Sequence, residues 1–303
     1  MIIRDKTSNL ALLFAWQGTI LPTVLPALTF VVLISAVIGY LTSHHMLNVP
    51  EVPAIGFTIF GIILSIFLSF RNNACYDRWW EGRKLWGALI ANSRHIARDS
   101  HVLPDRERRI LMYRVMFFTH LLRNRLRKTN TPFKLDTHHL ALEQHALNHL
   151  DQHINAAQFV LECIQKDLVQ LLRQGLISDI IYSTLNRHIV ELGNIQAGCD
   201  RILSTPLPFS YSVLLHRTVY CFCFLLPFSL GQTLGLLTPF LVGLLAYTFL
   251  GLDALSTELE EPFGTQSNDL PLDSMVRLIE IELLGTLGKP TPPPIQAQDD
   301  NLL

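Results

Sequence analysis

Long stretches without charge constrain this chain most. After Lys6, no Asp, Glu, Lys or Arg occurs until Glu51. None occurs from Val52 to Phe70, and from Ile202 to Leu252 the only charge is Arg217. About 20 apolar residues in a helix cross the roughly 30 Å of bilayer hydrocarbon. One such run could be a helix inside a large soluble core; several in one chain read as membrane spans. The first run has polar ends, so it yields one span near Gln17–Thr42, preceded by a short helix around Leu10–Trp16. The second yields a span near Pro53–Phe70. The third, split by Gly231-Gln232-Thr233, yields a hairpin of roughly Leu214–Leu230 and Leu234–Leu252. The opening apolar stretch far exceeds the 7–15 residues of a signal-peptide core, so it reads as retained.

Composition agrees. Of 303 residues, 49% are hydrophobic and 16% charged, against a usual charged share of about 25%. Disorder and coiled coil are excluded. The net charge of -1 gives no basic field for nucleic acid. Five cysteines without CxxC spacing read as reduced thiols, and Cys221-x-Cys223 as helix filler. Of 24 Lys and Arg, 19 lie within Arg71–Arg201, and the connectors His44–Glu51 and around Gly231 carry none. The positive-inside rule puts the central segment and both termini in the cytoplasm.

The resulting layout is all-α and polytopic, with four transmembrane helices and a cytosolic helical domain. Its parts are an N-terminal cytosolic segment (1–16), the first two spans (17–70), the cytosolic domain (71–207), the last two spans (208–253), a post-membrane segment (254–288) and a disordered tail (289–303). Arg78–Asp99 should continue the second span into the cytosol as one helix. Further helices are expected over Asp105–Arg127, Leu140–His153, Ala156–Gln174 and Leu176–Ile195. No strand pattern or internal repeat is visible.

Four groups of residues invite a chemical reading. Ile62, Ile66 and Phe70 stack on one helix face. From spacing alone, packing against another span is the better reading; around an oligomer axis the same residues become apolar rings that gate by dewetting. Arg78-Trp79-Trp80-Glu81-x-Arg83 suits the membrane interface. His145, His149 and His153 recur every four residues and could present imidazoles to zinc, although HExxH is absent; a solvated face is favoured. Glu258, Glu260, Glu261, Asn268, Asp269 and Asp273 follow the last span. Glu258, Glu261 and Asp269 could offer oxygens to calcium, against a favoured reading as a solvated turn with Asx capping near Pro271. A bound metal is not expected to be required. Nucleophile sets, P-loops and dinucleotide fingerprints are absent, so an enzyme is not expected.

Together, Asn73-Ala-Cys-Tyr-Asp-Arg-Trp-Trp-Glu-Gly-Arg83, Thr205-Pro-Leu-Pro-Phe-Ser-Tyr211, Glu261-Pro-Phe-Gly264 and Asn268-Asp-Leu-Pro-Leu-Asp273 resemble the bestrophins, in their bacterial form. The resemblance covers nearly the whole chain. It implies a homopentameric ion channel of the bacterial inner membrane with a single axial pore, and places Ile62, Ile66 and Phe70 at the neck. It also implies a cytosolic aperture, for which Ile180 is the choice, with Ile177 or Ile181 if the register slips. The bacterial branch implies passive permeation of monovalent cations such as sodium, with Asp179 as a selectivity residue beside the aperture; a chloride channel of the same fold is the alternative. Animal members carry consecutive acids after Pro-Phe-Gly that clasp calcium. Here Thr265, Gln266 and Ser267 stand there, so calcium gating is not expected. The competing classes are a membrane-anchored metal-dependent enzyme using the histidine row, a secondary transporter, and a non-conducting scaffold.

Overall fold

The structure, a computed structural model, describes residues 1–2, 15–16, 18–44, 54–131, 154–298 and 300–302. Eight α-helices run through these residues: α1 (Leu21–Ser43), α2 (Ala54–Asp99), α3 (Asp105–Arg127), α4 (Ala156–Arg173), α5 (Asp179–Ser204), α6 (Phe209–Leu234), α7 (Thr238–Glu260) and α8 (Leu272–Thr286). Four helical segments are long and apolar enough to cross a membrane: α1, the first part of α2, α6, and α7 with the turn before it. No strand occurs among the described residues, only two isolated bridges at the chain ends. The helices expected at Leu10–Trp16 and Leu140–His153 fall on residues mostly or wholly outside those described.

Two apolar cores form. In the membrane part, Leu64 and Leu68 of α2 pack with Val24 and Val31 of α1, Leu215 to Leu226 of α6, and Val242, Ala246 and Leu250 of α7. In the second core, Trp86, Leu89 and Ile96 of α2 meet Met116, Phe117 and Phe118 of α3, together with α4, α5 and α8. α2 belongs to both. Its 46 residues run unbroken, as the sequence suggests, because no proline interrupts them. It therefore couples the membrane part to the second domain as one rod.

Three boundaries differ from expectation. The hairpin turn falls at Gly235, not Gly231–Thr233. Gly235 takes φ +50, a left-handed conformation that suits glycine. Gly231 remains helical, and a Cβ there would meet Ile38 at 3.2 Å, so it serves the approach of α6 to α1. α5 starts at Asp179 instead of Leu176. Gly175, at φ +71, ends α4 with Gly175 N–H donating to Leu172 O and Leu176 N–H to Leu171 O, a Schellman closure. Ser178 then caps α5 by accepting from Ile181 N–H. α5 also continues past Ile195 to Ser204. Gly198 stays in mid-helix because Leu85 of α2 lies 2.9 Å from where its Cβ would be. Finally, described residues of 289–302 make contacts with the rest of the chain. Arg277 donates to Pro293 O, and Met1 N donates to Asn301 Oδ1 and Leu302 O.

A candidate pore face and the junction beneath it

α2 buries one stripe and presents the opposite one. Leu64, Leu68, Arg71 and Cys75 are all at most 4% exposed. At about 100° per residue they share one side of the helix. Ile62 and Ile66 lie about 150–170° around from that stripe and Phe70 about 130°. They are 55%, 49% and 61% exposed. The three expected neck residues thus occupy one face that lies exposed among the described residues. Gly56, Ser65 and Ser69, also exposed, flank that face. Ser65 satisfies its hydroxyl by donating to Ile62 O.

Ile180 is 79% exposed in the first turn of α5, whereas Ile177 is 5% exposed and Ile181 packs on the core. Of the three isoleucines considered for the aperture, only Ile180 projects outward. Asp179 is exposed beside it. It lies at the helix N-terminus, where the macrodipole favours negative charge.

Below the neck face, charges join the helices. Arg71 Nη1 meets Asp253 Oδ1 at 2.5 Å, both side chains at most 5% exposed. Arg71 Nη2 donates to Thr257 Oγ1 at 3.2 Å, and the second Asp253 oxygen bonds His216 Nδ1 at 2.6 Å. This pairing fastens α2, α6 and α7 together. Burying it costs desolvation, which the pairing and added hydrogen bonds offset. Two turns further, Arg78 donates to three backbone oxygens: Ile202 O at 2.7 Å, Thr205 O at 2.5 Å and Glu260 O at 3.2 Å. These carbonyls belong to the ends of α5 and α7, where helices leave acceptors without intrahelical donors. A cation there also suits the macrodipole. Trp79 Nε1 donates to Asn268 O at 2.9 Å, and Glu260 Oε1 accepts from Leu207 N–H at 3.0 Å. Glu81 pairs with Arg201 of α5, not with an arginine of its own motif. Sequence reading identified the Arg-Trp-Trp-Glu segment as interfacial; its role as a clamp on helix ends emerges only in three dimensions.

The acidic belt after α7 does not converge on a metal. Among the described residues, no three His, Cys, Asp or Glu side chains group to hold one. Glu261 is exposed, while Asp269 is 3% exposed. Asp269 Oδ2 accepts from Gln266 N–H at 2.6 Å. Burial pushes its carboxyl up to about 6. Glu258 instead accepts from Asn268 Nδ2 at 2.5 Å. Asp273 is shared by Arg123 and Arg127 of α3. The expected solvated turn is thus partly buried, and the carboxylates that could have offered oxygens to calcium have separate duties. His145, His149 and His153 lie outside the described residues.

The five cysteines are free. Burial pushes the Cys199 thiol up to about 12, which keeps it unreactive. The pair Arg71–Asp253 was missed in sequence reading. The available signal was an arginine and an aspartate at the ends of two apolar runs, each needing a partner if buried.

The sequence matches the family model described as "Bacterial/Fungal Bestrophin protein" over residues 1–285. The chain therefore belongs to the bacterial and fungal bestrophin family. A voltage-dependent anion channel-forming protein of Mesorhizobium japonicum is 40% identical over 98% of this chain and 96% of its own. The voltage-dependent anion channel-forming protein YneE of Salmonella typhi is 42% identical over 94% of this chain and 93% of its own. A crystal structure of a bacterial bestrophin homolog from Klebsiella pneumoniae superposes with a TM-score of 0.78 at 35% identity, covering 88% of this chain and 99% of that one.

Proposed function

We propose that this chain is the subunit of a bestrophin-type ion channel in the bacterial inner membrane, a pentamer around one axial pore. Ions permeate passively, anions in preference. The observation that carries this reading is the α2 face of Ile62, Ile66 and Phe70, apolar, exposed and opposite the packed stripe. A lipid-facing surface would also be apolar, but the small and hydroxyl-bearing residues Gly56, Ser65 and Ser69 on its flanks suit close neighbouring helices better than lipid tails. Five copies would turn the three residues into rings that resist wetting. Ile180 would form a second ring in the cytosol. The domain of α3 to α5 would lie in the cytoplasm with both termini, and the arginine-free connectors outside.

The choice of anions departs from the sodium expectation. Relatives matched over nearly the whole chain are named anion channel-forming proteins. The residue argument for cations rested on Asp179, whose place in the first turn of α5 has a structural reason of its own. No step of this function requires a cofactor or a catalytic residue.

The test is the reversal potential of purified protein in a planar bilayer under a NaCl gradient, with its oligomer mass measured by light scattering. A reversal near the chloride potential, from a species of about five protomer masses, is expected. Reversal near the sodium potential would overturn the choice of ion. Correctly inserted protein that carries no current would overturn the channel.

A further inference from the structure

The face of α2 that carries the neck does not stop at Phe70. The helix is unbroken to Asp99, so its register can be followed out of the apolar part. Residues seven apart drift by only about 20° on a straight helix and stay aligned in helices that coil around a common axis. Seven residues beyond Phe70 stands Asp77, and Asn73 lies between them on the same side. Both are exposed. Asp77 lies about 150° around α2 from the packed stripe of Leu64, Leu68, Arg71 and Cys75.

Among the acids of α2, Asp77 stands apart by what it lacks: Glu81 pairs with Arg201 and Asp99 with His188. Asp253 holds Arg71 and His216, Asp200 holds Arg125, Asp273 holds two arginines, and Glu280 holds His120 and Arg277. The described residues give Asp77 no hydrogen bond and no ion pair, although it adjoins Arg78 in sequence. Arg78 is turned the other way and spends its donors on three carbonyls. Asp77 is the first charge met on the neck face after Phe70.

We propose that Asp77 is a specificity-determining residue: in the assembly it forms a ring of carboxylates at the inner end of the neck, about 10 Å beyond Phe70. It draws cations and repels anions there, and so holds the anion preference below what the rest of the pore would give. This rests on the neck reading of Ile62, Ile66 and Phe70. A ring of fixed charge at a low-dielectric mouth shifts local ion concentrations by the potential it creates. The shift weakens as salt rises, because the screening length falls from about 10 Å at 0.1 M to about 3 Å at 1 M.

The experiment compares wild type, Asp77→Asn, Asp77→Lys and Asp105→Asn in planar bilayers under NaCl gradients, centred once on 0.1 M and once on 1 M. Asp105 is a first-turn carboxylate of α3, away from this face. Asp77→Asn should lower the sodium-to-chloride permeability ratio about sevenfold at 0.1 M, the effect of a potential near kT acting on ions of opposite sign. Asp77→Lys should lower it further, both effects should shrink at 1 M, and Asp105→Asn should match wild type. Ile66→Ala is run alongside. If Ile66→Ala raises conductance and neither Asp77 variant moves the reversal potential, the Asp77 proposal is overturned and the neck stands. If Ile66→Ala leaves conductance unchanged, the neck reading fails, and Asp77 with it. A shift equal at both salt concentrations would also overturn the ring, since altered packing, unlike a surface potential, is not screened.

Discussion

Gly82 lies in α2 where the segment after α7 crosses it. A Cβ at this position would stand 3.1 Å from Phe263 and 3.3 Å from Leu270, both buried. These neighbours are held by the core and cannot retreat freely, so Gly82→Ala should destabilise by about 1–3 kcal/mol despite alanine's better helix propensity. A thermal melt in detergent checks it, and an unchanged Tm would mean that Phe263 yields. Asp269 makes a prediction in pH. Its carboxyl sits near 6 because burial disfavours the charge, while in the unfolded chain it titrates near 4. Between about pH 4 and 6 the native state therefore binds more protons than the unfolded one. Stability contributed by this group is full below that window and declines as pH rises through it. Asp269→Asn keeps an oxygen for Gln266 N–H and removes the buried charge. It should raise stability at pH 7.5 by up to about 3 kcal/mol, and flatten the slope between pH 4 and 6. Equal slopes in both proteins would exclude Asp269 as the titrating group.

Helices here are joined by paired ends as much as by apolar faces. α2 is anchored to α6 and α7 through Arg71, Asp253 and His216, and to the ends of α5 and α7 through Arg78. Removing one partner of a buried pair strands the other charge, which costs about 3–5 kcal/mol, while replacing both with apolar residues costs much less. Asp253→Leu should accordingly lower the Tm more than the double variant Arg71→Met/Asp253→Leu. The melts of the single and double variants in detergent decide this. A double variant no more stable than Asp253→Leu would show that the pair contributes more than mutual neutralisation. The same logic explains why the Arg78 motif was legible only as an interface signal. Its partners are backbone carbonyls 124, 127 and 182 residues away in sequence, and a carbonyl carries no side-chain signature.

At the scale of the whole molecule, the apolar face of α2 lies exposed among the described residues, and in the proposed pentamer its consequence belongs to the assembly. Widening a ring of side chains removes part of a dewetting barrier. Ile66→Ala should therefore raise single-channel conductance severalfold without changing which ion sets the reversal potential; unchanged current would place Ile66 elsewhere than the pore. Much of this architecture was legible from charge placement alone. Charge-free runs of sufficient length must be helical in lipid, because the bilayer offers backbone groups no other partners. That fixed four spans, and the absence of breakers fixed α2 as one long rod. What the linear pattern left open was which glycines turn the chain. Gly231 and Gly198 are there for close approach, Gly235 and Gly175 for a left-handed backbone, and only packing distinguishes them. It also left open which acids act together. Seven acidic or amide residues in sixteen positions resemble a cation site, but folding sends Asp273 to two arginines, Asp269 into a core and Glu261 to the surface. Local hydrophobicity is additive along a chain and survives without a partner; an ion pair or a buried turn exists only when the two ends meet, and that meeting is decided by the tertiary structure.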